Sequence, residues 1–232
     1  MLKPRRRFTA HVLAAVVAVG CVALLSVAAQ QSSRDPQAVP EVISISKART
    51  LSVGRPVTVE GTVTVASGAF ASGTHDKGFA IQDSSGGFYV RMIPNLGLRV
   101  GQRVRASGLL ADSFGQLVLD PIEARNVRVL GRGMKVRVEA VSTGRIGEAT
   151  EGRLVQVEGR ITKPVGKDLP YGYRVFLNDG SGEVQAFVYV STAIDVSGLQ
   201  PDQRVVVTGF SAQYNDHYEV IPRFQSDIRR SR

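Results

Sequence analysis

The sequence predicts an all-β protein built of two consecutive five-stranded Greek-key barrels behind an N-terminal apolar segment. Three observations lead there. The stretch Gly54-Arg55-Pro56-Val57-Thr58-Val59-Glu60-Gly61-Thr62-Val63-Thr64 returns as Gly152-Arg153-Leu154-Val155-Gln156-Val157-Glu158-Gly159-Arg160-Ile161-Thr162. In both copies apolar and polar residues alternate with the period of a half-buried strand. The 24 glycines, the 6% aromatic content and the lack of Trp favour short strands and tight turns over a helical bundle.

Residues 1–29 stand apart from the repeat. Lys3, Arg5, Arg6 and Arg7 form a basic cluster ahead of the uncharged apolar run 12–29, which reads as an export signal. Two outcomes are open. The run exceeds the about 7 to 15 residues of a usual signal core and approaches the roughly 20 needed to span a bilayer. Val27-Ala28-Ala29 offers small residues to a peptidase. The chain is therefore expected in the periplasm or outside the cell, either cleaved or anchored to the cytoplasmic membrane by residues 12–29. Cys21 falls within the run, so the exported part has no cysteine and no disulfide. Beyond the basic cluster, 25 Lys and Arg face 20 acids, a net charge of about +5 that favours anionic partners.

Residues 30–42, with Pro36 and Pro40 and no apolar period, read as a linker. The first barrel is expected over 43–131. Val57, Val59 and Val63 mark its first strand, with Gly61 on the apolar side as a bulge or bend. Residues 79–82 and 88–92 make a hairpin around Asp83-Ser84-Ser85-Gly86-Gly87. A connector over 94–100, one helical turn, leads to strands at 103–110 and 116–119. The second barrel, over 132–228, repeats these landmarks in order. Gly61 matches Gly159 at an offset of 98, Asp83 matches Asp179 at 96, and Gln102 and Pro121 match Gln203 and Pro222 at 101. The offset changes only in loops, as expected of a tandem duplication.

Val57, Val59, Gly61 and Val63, then Asp83 and Gly86, then Leu98, Gly101, Gln102, Val104 and Gly108 form a pattern. Val155, Val157, Gly159, Ile161, Asp179, Gly182, Leu199, Gln203, Val205 and Gly209 repeat it. This pattern resembles the oligonucleotide/oligosaccharide-binding (OB) fold of the tRNA-anticodon-binding type over residues 43–228. Pro201-Asp202 departs from it where glycine usually precedes the Gln. The arrangement is also similar to extracytoplasmic regions of some bacterial membrane-anchored sensor proteins. The resemblance implies a binding function and specifies fold more than ligand.

No catalytic set, metal site or cofactor is expected. The exported part offers only His75 and His217, each beside an aspartate and at non-equivalent places, which reads as solvated loop. Asp83 and Asp179 read as turn residues that accept backbone N–H groups, and Glu60 and Glu158 as solvent-facing strand residues. Binding has better candidates. Rings and cations near the hairpins nominate Tyr89, Arg91, Arg103 and Arg105 in the first copy, and Tyr173, Arg174, Phe187 and Tyr189 in the second. Alternation puts Tyr89 with Arg91, and Phe187 with Tyr189, on single strand faces; for Tyr89, Phe187 and Tyr189, packing under the longer connector or against the neighbouring barrel is the competing explanation. The run 125–137 is the densest basic patch. The expected function is a non-enzymatic exported module binding an extended anionic ligand, single-stranded nucleic acid first, on the OB faces. The alternative is a periplasmic scaffold or sensory module contacting an envelope protein or a glycan.

Overall fold

The computed structural model describes residues 41–71 and 73–231, all within one compact unit; the signal or anchor segment and most of the linker lie outside the described residues. The first sheet begins with a two-residue strand β1 (Val42–Ile43), followed by the one-turn helix α1 (Ile45–Arg49). Five strands then close on themselves: β2 (Pro56–Val65), β3 (Phe79–Gln82), β4 (Gly87–Val90), β5 (Gln102–Ser113) and β6 (Gln116–Asp120). Their ring order is β2, β3, β4, β6, β5 and back to β2, with β4 and β6 parallel. An edge strand β7 (Val127–Arg132) is added to β5. That order is the five-stranded OB barrel.

The second sheet repeats it. A two-residue β8 (Glu139–Ala140) lies parallel to β9 (Leu154–Ile161), as β1 lies parallel to β2. The ring consists of β9, β11 (Gly172–Asn178), β12 (Glu183–Tyr189), β14 (His217–Ile221) and β13 (Arg204–Tyr214), in that spatial order. The short β10 (Gly166–Asp168) extends the hairpin at β11, and β15 (Ile228–Arg230) pairs with β13 as β7 does with β5. The structure is thus all-β with two closed five-stranded barrels in tandem.

Each barrel fills its interior with the inward half of the alternation. Val57, Val59, Val63, Phe79, Ile81 and Phe88 pack in the first, and Val155, Val157, Ile161, Val175 and Leu177 in the second. Gly61 and Gly159 serve close approach. A Cβ on Gly61 would stand 3.1 Å from the Gln82 backbone, and one on Gly159 3.0 Å from that of Asn178. The register shift in this part of β2 falls at Val63/Val65, so Gly61 supplies contact and curvature while the bulge lies beyond it.

Asp83 and Asp179 are turn residues, as expected, and also fasten a plug. Asp83 accepts from the N–H groups of Ser85 and Gly86 at 2.7 and 2.8 Å, and its other oxygen accepts from Ile45 N–H at 2.9 Å. Ile45 and Ala48 of α1 thereby seal the first core. Asp179 holds the turn Thr143–Arg145 in the equivalent place, through Thr143 N–H at 3.1 Å and its hydroxyl at 2.7 Å. The hydrogen bonds from Ser181 and Thr143 keep the Asp179 carboxyl far below the usual carboxylate range. Residues 94–99 run without the helical turn expected there.

The barrels share a third apolar core. Val65, Phe70 and Ala80 of the first pack on Phe210, Ala212 and Ile221 of the second. By alternation Ala80, Phe210, Ala212 and Ile221 point outward from their own barrels, the register shift at Val63/Val65 turns Val65 outward with them, and burial in a common seam explains why these outward positions are apolar. Polar ties frame the seam: Leu154 N–H donates to Gln82 Oε1 at 2.8 Å, Arg153 to the Ser85 carbonyl at 2.7 Å, and Arg223 to the Thr64 carbonyl at 2.9 Å. Arg49 of α1 donates to Glu151 Oε1 at 2.9 Å, beside the second barrel's first strand.

Candidate binding surfaces

The residues nominated from sequence fall on separate surfaces. Tyr89, Arg174, Phe187 and Tyr189 line a cleft of about 500 Å³ between the barrels. Arg103 and Arg105 lie on the outer face of β5, where both pair with Glu60, Arg105 at 2.6 Å. Burial opposes the charge of Glu60, but the two arginines outweigh it and hold the carboxyl below its ordinary value. Arg91 pairs with Asp120 beside a second hollow. Tyr173 packs against the second barrel's core, away from the cleft. Rings and cations that sequence spacing placed together are therefore largely segregated.

The cleft is built on the outer face of β11 and β12. Arg174 stands opposite Phe187, and Gln185 opposite Glu219. The end of β10 contributes Asp168 and the loop before β11 Tyr171, and Tyr214 and His217 come from the strand ends that flank the turn from β13 to β14. Strands 2 and 3 with these two loops are where an OB barrel takes its ligand. The first barrel closes the other side. Its loop after β2 brings Phe70 to stack on Tyr189 at 5.3 Å, and Phe187 meets Tyr189 edge-on at 4.8 Å. The turn tips of the two barrels meet at the mouth, where Phe114 and Tyr214 lie 5.4 Å apart and Asn215 N–H donates to the Phe114 carbonyl. Of the six tyrosines and nine phenylalanines in the chain, eight line this one cleft, which marks it as the chain's aromatic site.

Its charged groups are mostly acidic: Asp76, Asp168 and Glu219 against Arg174. Asp76 is buried, where a solvated loop residue was expected, and accepts from Tyr89 hydroxyl at 2.6 Å and Gly78 N–H at 2.8 Å. Burial, then the neighbouring Asp76, holds the Tyr89 hydroxyl well above its ordinary value. Glu219 is buried with Gln185 Nε2 donating at 2.8 Å, and His217 Nε2 stands 3.8 Å away. Burial pushes the Glu219 carboxyl up to about 7, against the Gln185 hydrogen bond and with a further push from Asp168. A carboxyl raised in the folded state binds more protons folded than unfolded, so its ionisation weakens the fold as pH rises from about 4.5 through 7. Glu219→Gln is expected to match the parent in urea unfolding at pH 4 and to exceed it at pH 8, by on the order of 2 kcal/mol.

Phe70, Asp76, Phe210 and Glu219 were missed in the sequence. Two signals were available: Phe70 is the lone ring in a loop of small residues, and Phe210 is an outward Phe on a barrel strand. Among the described residues no group of three or more His, Cys, Asp or Glu could hold a metal ion, and no helix is long and apolar enough to cross a membrane.

The second surface is basic. Arg105 on β5 stands directly opposite Arg128 on β7, and Gln102 opposite Arg132. Arg128, Arg132, Lys135 and Arg137 are exposed and make no ion pair among the described residues. Like charges directly opposite on a sheet destabilise it unless a counter-charge binds. The second barrel has a smaller version, with Arg160 opposite Arg204 and only Glu158 beside them.

No protein-family model matches the chain, and no curated protein does. Among solved structures it is similar to a replication protein A heterotrimer bound to ssDNA, at 12% identity and a TM-score of 0.33 over 41% of this chain and 82% of that one. It is similar to the hypothetical protein ygiW from E. coli at 20% identity and 0.31, over 39% and 90%. A murine DNA binding protein bound with ds DNA gives 10% identity and 0.38, over 71% and 90%.

Proposed function

We propose that this chain is a non-enzymatic, exported binding module that holds an extended anionic polymer, single-stranded nucleic acid first, along the arginine face of β5 and β7. The observation that carries the reading is the directly opposed pair Arg105 and Arg128, with Arg103 on the same face of β5, the exposed Arg132, Lys135 and Arg137 in the segment that follows, and Glu60 as the countering charge. Phosphates spaced along a flexible strand neutralise such a row, and released counterions supply the driving force. Of the rings nominated for base stacking, Tyr89, Phe187 and Tyr189 lie in the cleft and Tyr173 on the second barrel's core, none of them on this face. Contact on the basic face is therefore with the backbone, and sequence preference should be weak.

Fluorescence anisotropy of labelled oligonucleotides with the full chain tests this. Binding at 50 mM salt that is largely lost by about 200 mM is expected. Arg128→Ala and Arg132→Ala should each weaken it uniformly across sequences and reduce the salt slope by about 1. The reading is sunk by an absence of salt-dependent binding at low ionic strength, or by slopes that ignore both substitutions. Export is part of the proposal, and fractionation of cells checks it separately.

A further inference from the structure

The cleft has charge of the opposite sign to the arginine face, so the two do not share a ligand. We propose that the cleft between the barrels is a site for a small organic cation, a protonated or quaternary amine on a skeleton that also carries an oxygen acceptor. The site is independent of the arginine face.

Three features converge on that chemistry. The cleft volume of about 500 Å³ is in the range of small-molecule sites. Its inner wall is the ring series Phe70, Tyr189 and Phe187, and an ammonium within about 6 Å of a ring face is attracted by the ring's electron density, more strongly when desolvated. Among its described lining residues the acids outnumber the fixed cations, with Arg174 the lone Lys or Arg. Asp76 is already engaged by Tyr89 and Gly78. Glu219 is engaged on one oxygen by an uncharged amide, and Asp168 makes no side-chain hydrogen bond or ion pair among the described residues. Carboxylates held this way against aromatic rings attract a cation and repel a phosphate.

Gln116 supplies the second requirement. It is 7% exposed and lines the cleft, and its Nε2 has no hydrogen-bond partner among the described residues. A buried donor without a partner costs free energy that an acceptor on the ligand would recover. A neutral sugar would satisfy Gln116 but leave the carboxylate charge uncompensated. An alkylammonium with a hydroxyl answers both.

Isothermal titration of the full chain with choline, and separately with maltose, tests the site. Saturable choline binding at one equivalent per chain is expected, with maltose weaker. Glu219→Gln and Tyr189→Leu should each weaken choline by about tenfold or more. Glu60→Gln, on the far surface, should leave it unchanged. Because Glu219→Gln is expected to be at least as stable as the parent at pH 8, its lost binding would not reflect unfolding. Maltose binding as tightly as choline, choline binding that survives Glu219→Gln, or no choline binding at all would overturn the assignment.

Discussion

Gly87→Ala is expected to produce the largest loss of stability of any single methyl added to this chain. The start of β4 meets the turn before β9 backbone to backbone: a Cβ on Gly87 would lie 1.8 Å from the Gly152 carbonyl oxygen, and one on Gly152 2.2 Å from that of Gly87. No side chain stands between them to swing aside. Relief therefore requires the barrels to separate locally, opening the seam of Ala80 and Phe210. A cost of about 3 kcal/mol or more follows, which for a chain of this size lowers the melting temperature by on the order of 10 °C. Gly147→Ala is the control, because nothing lies within 4 Å of its Cβ. If both variants melt together, the close approach does not exist in solution.

Arg49→Ala should come next, and its cost should depend on pH. Glu151 is almost fully buried, accepts from Arg49 and from Leu117 N–H, and its Oε2 has no partner among the described residues. Burial raises its carboxyl, while the arginine pulls it back. Removing the arginine leaves burial opposed only by the Leu117 N–H hydrogen bond, so the folded state resists ionisation further. The penalty is absent where the carboxyl is protonated folded and unfolded, below about pH 4, and grows as pH rises above it. Loss of about 3–5 kcal/mol is expected at pH 8 and much less at pH 4, read from urea midpoints. The double variant Arg49→Ala/Glu151→Gln should recover most of the loss. Equal losses at both pH values would show that the ion pair does not join the barrels as described.

The strands were legible because each copy writes its inward face in valine, and because the repeat confirms the frame: residues 79–82 and 116–119 fall on β3 and β6. The helix α1 was not, since five residues are too few for a helical period and only Ser44, its cap, signals it. Side-chain partners were the harder part. Whether Arg91 is free or bound to Asp120 depends on how β4 and β6 are aligned, and these strands are paired across a crossover that sequence spacing does not define. The same holds for Glu60 with Arg103 and Arg105. The cleft was half legible: Phe187 and Tyr189 follow from alternation, but Asp76 and Phe70 reach it from the other barrel. Their meeting depends on the seam, whose only trace in the sequence is the outward apolar set Phe210, Ala212 and Ile221.

The seam also breaks the equivalence of the two copies. Two barrels give two strand 2 and 3 faces, yet on the first Ala80 is buried in the seam and Tyr89 packs on Phe210 in the cleft wall, while on the second Arg174, Gln185 and Phe187 line the cleft. One face became mortar between the barrels and the other a wall of the cleft. A chain with two barrels therefore has one such cleft, and at the matching positions after the aspartate turns Tyr89 is tied to Asp76 and Phe210 of the seam while Gln185 holds Glu219 of its own barrel.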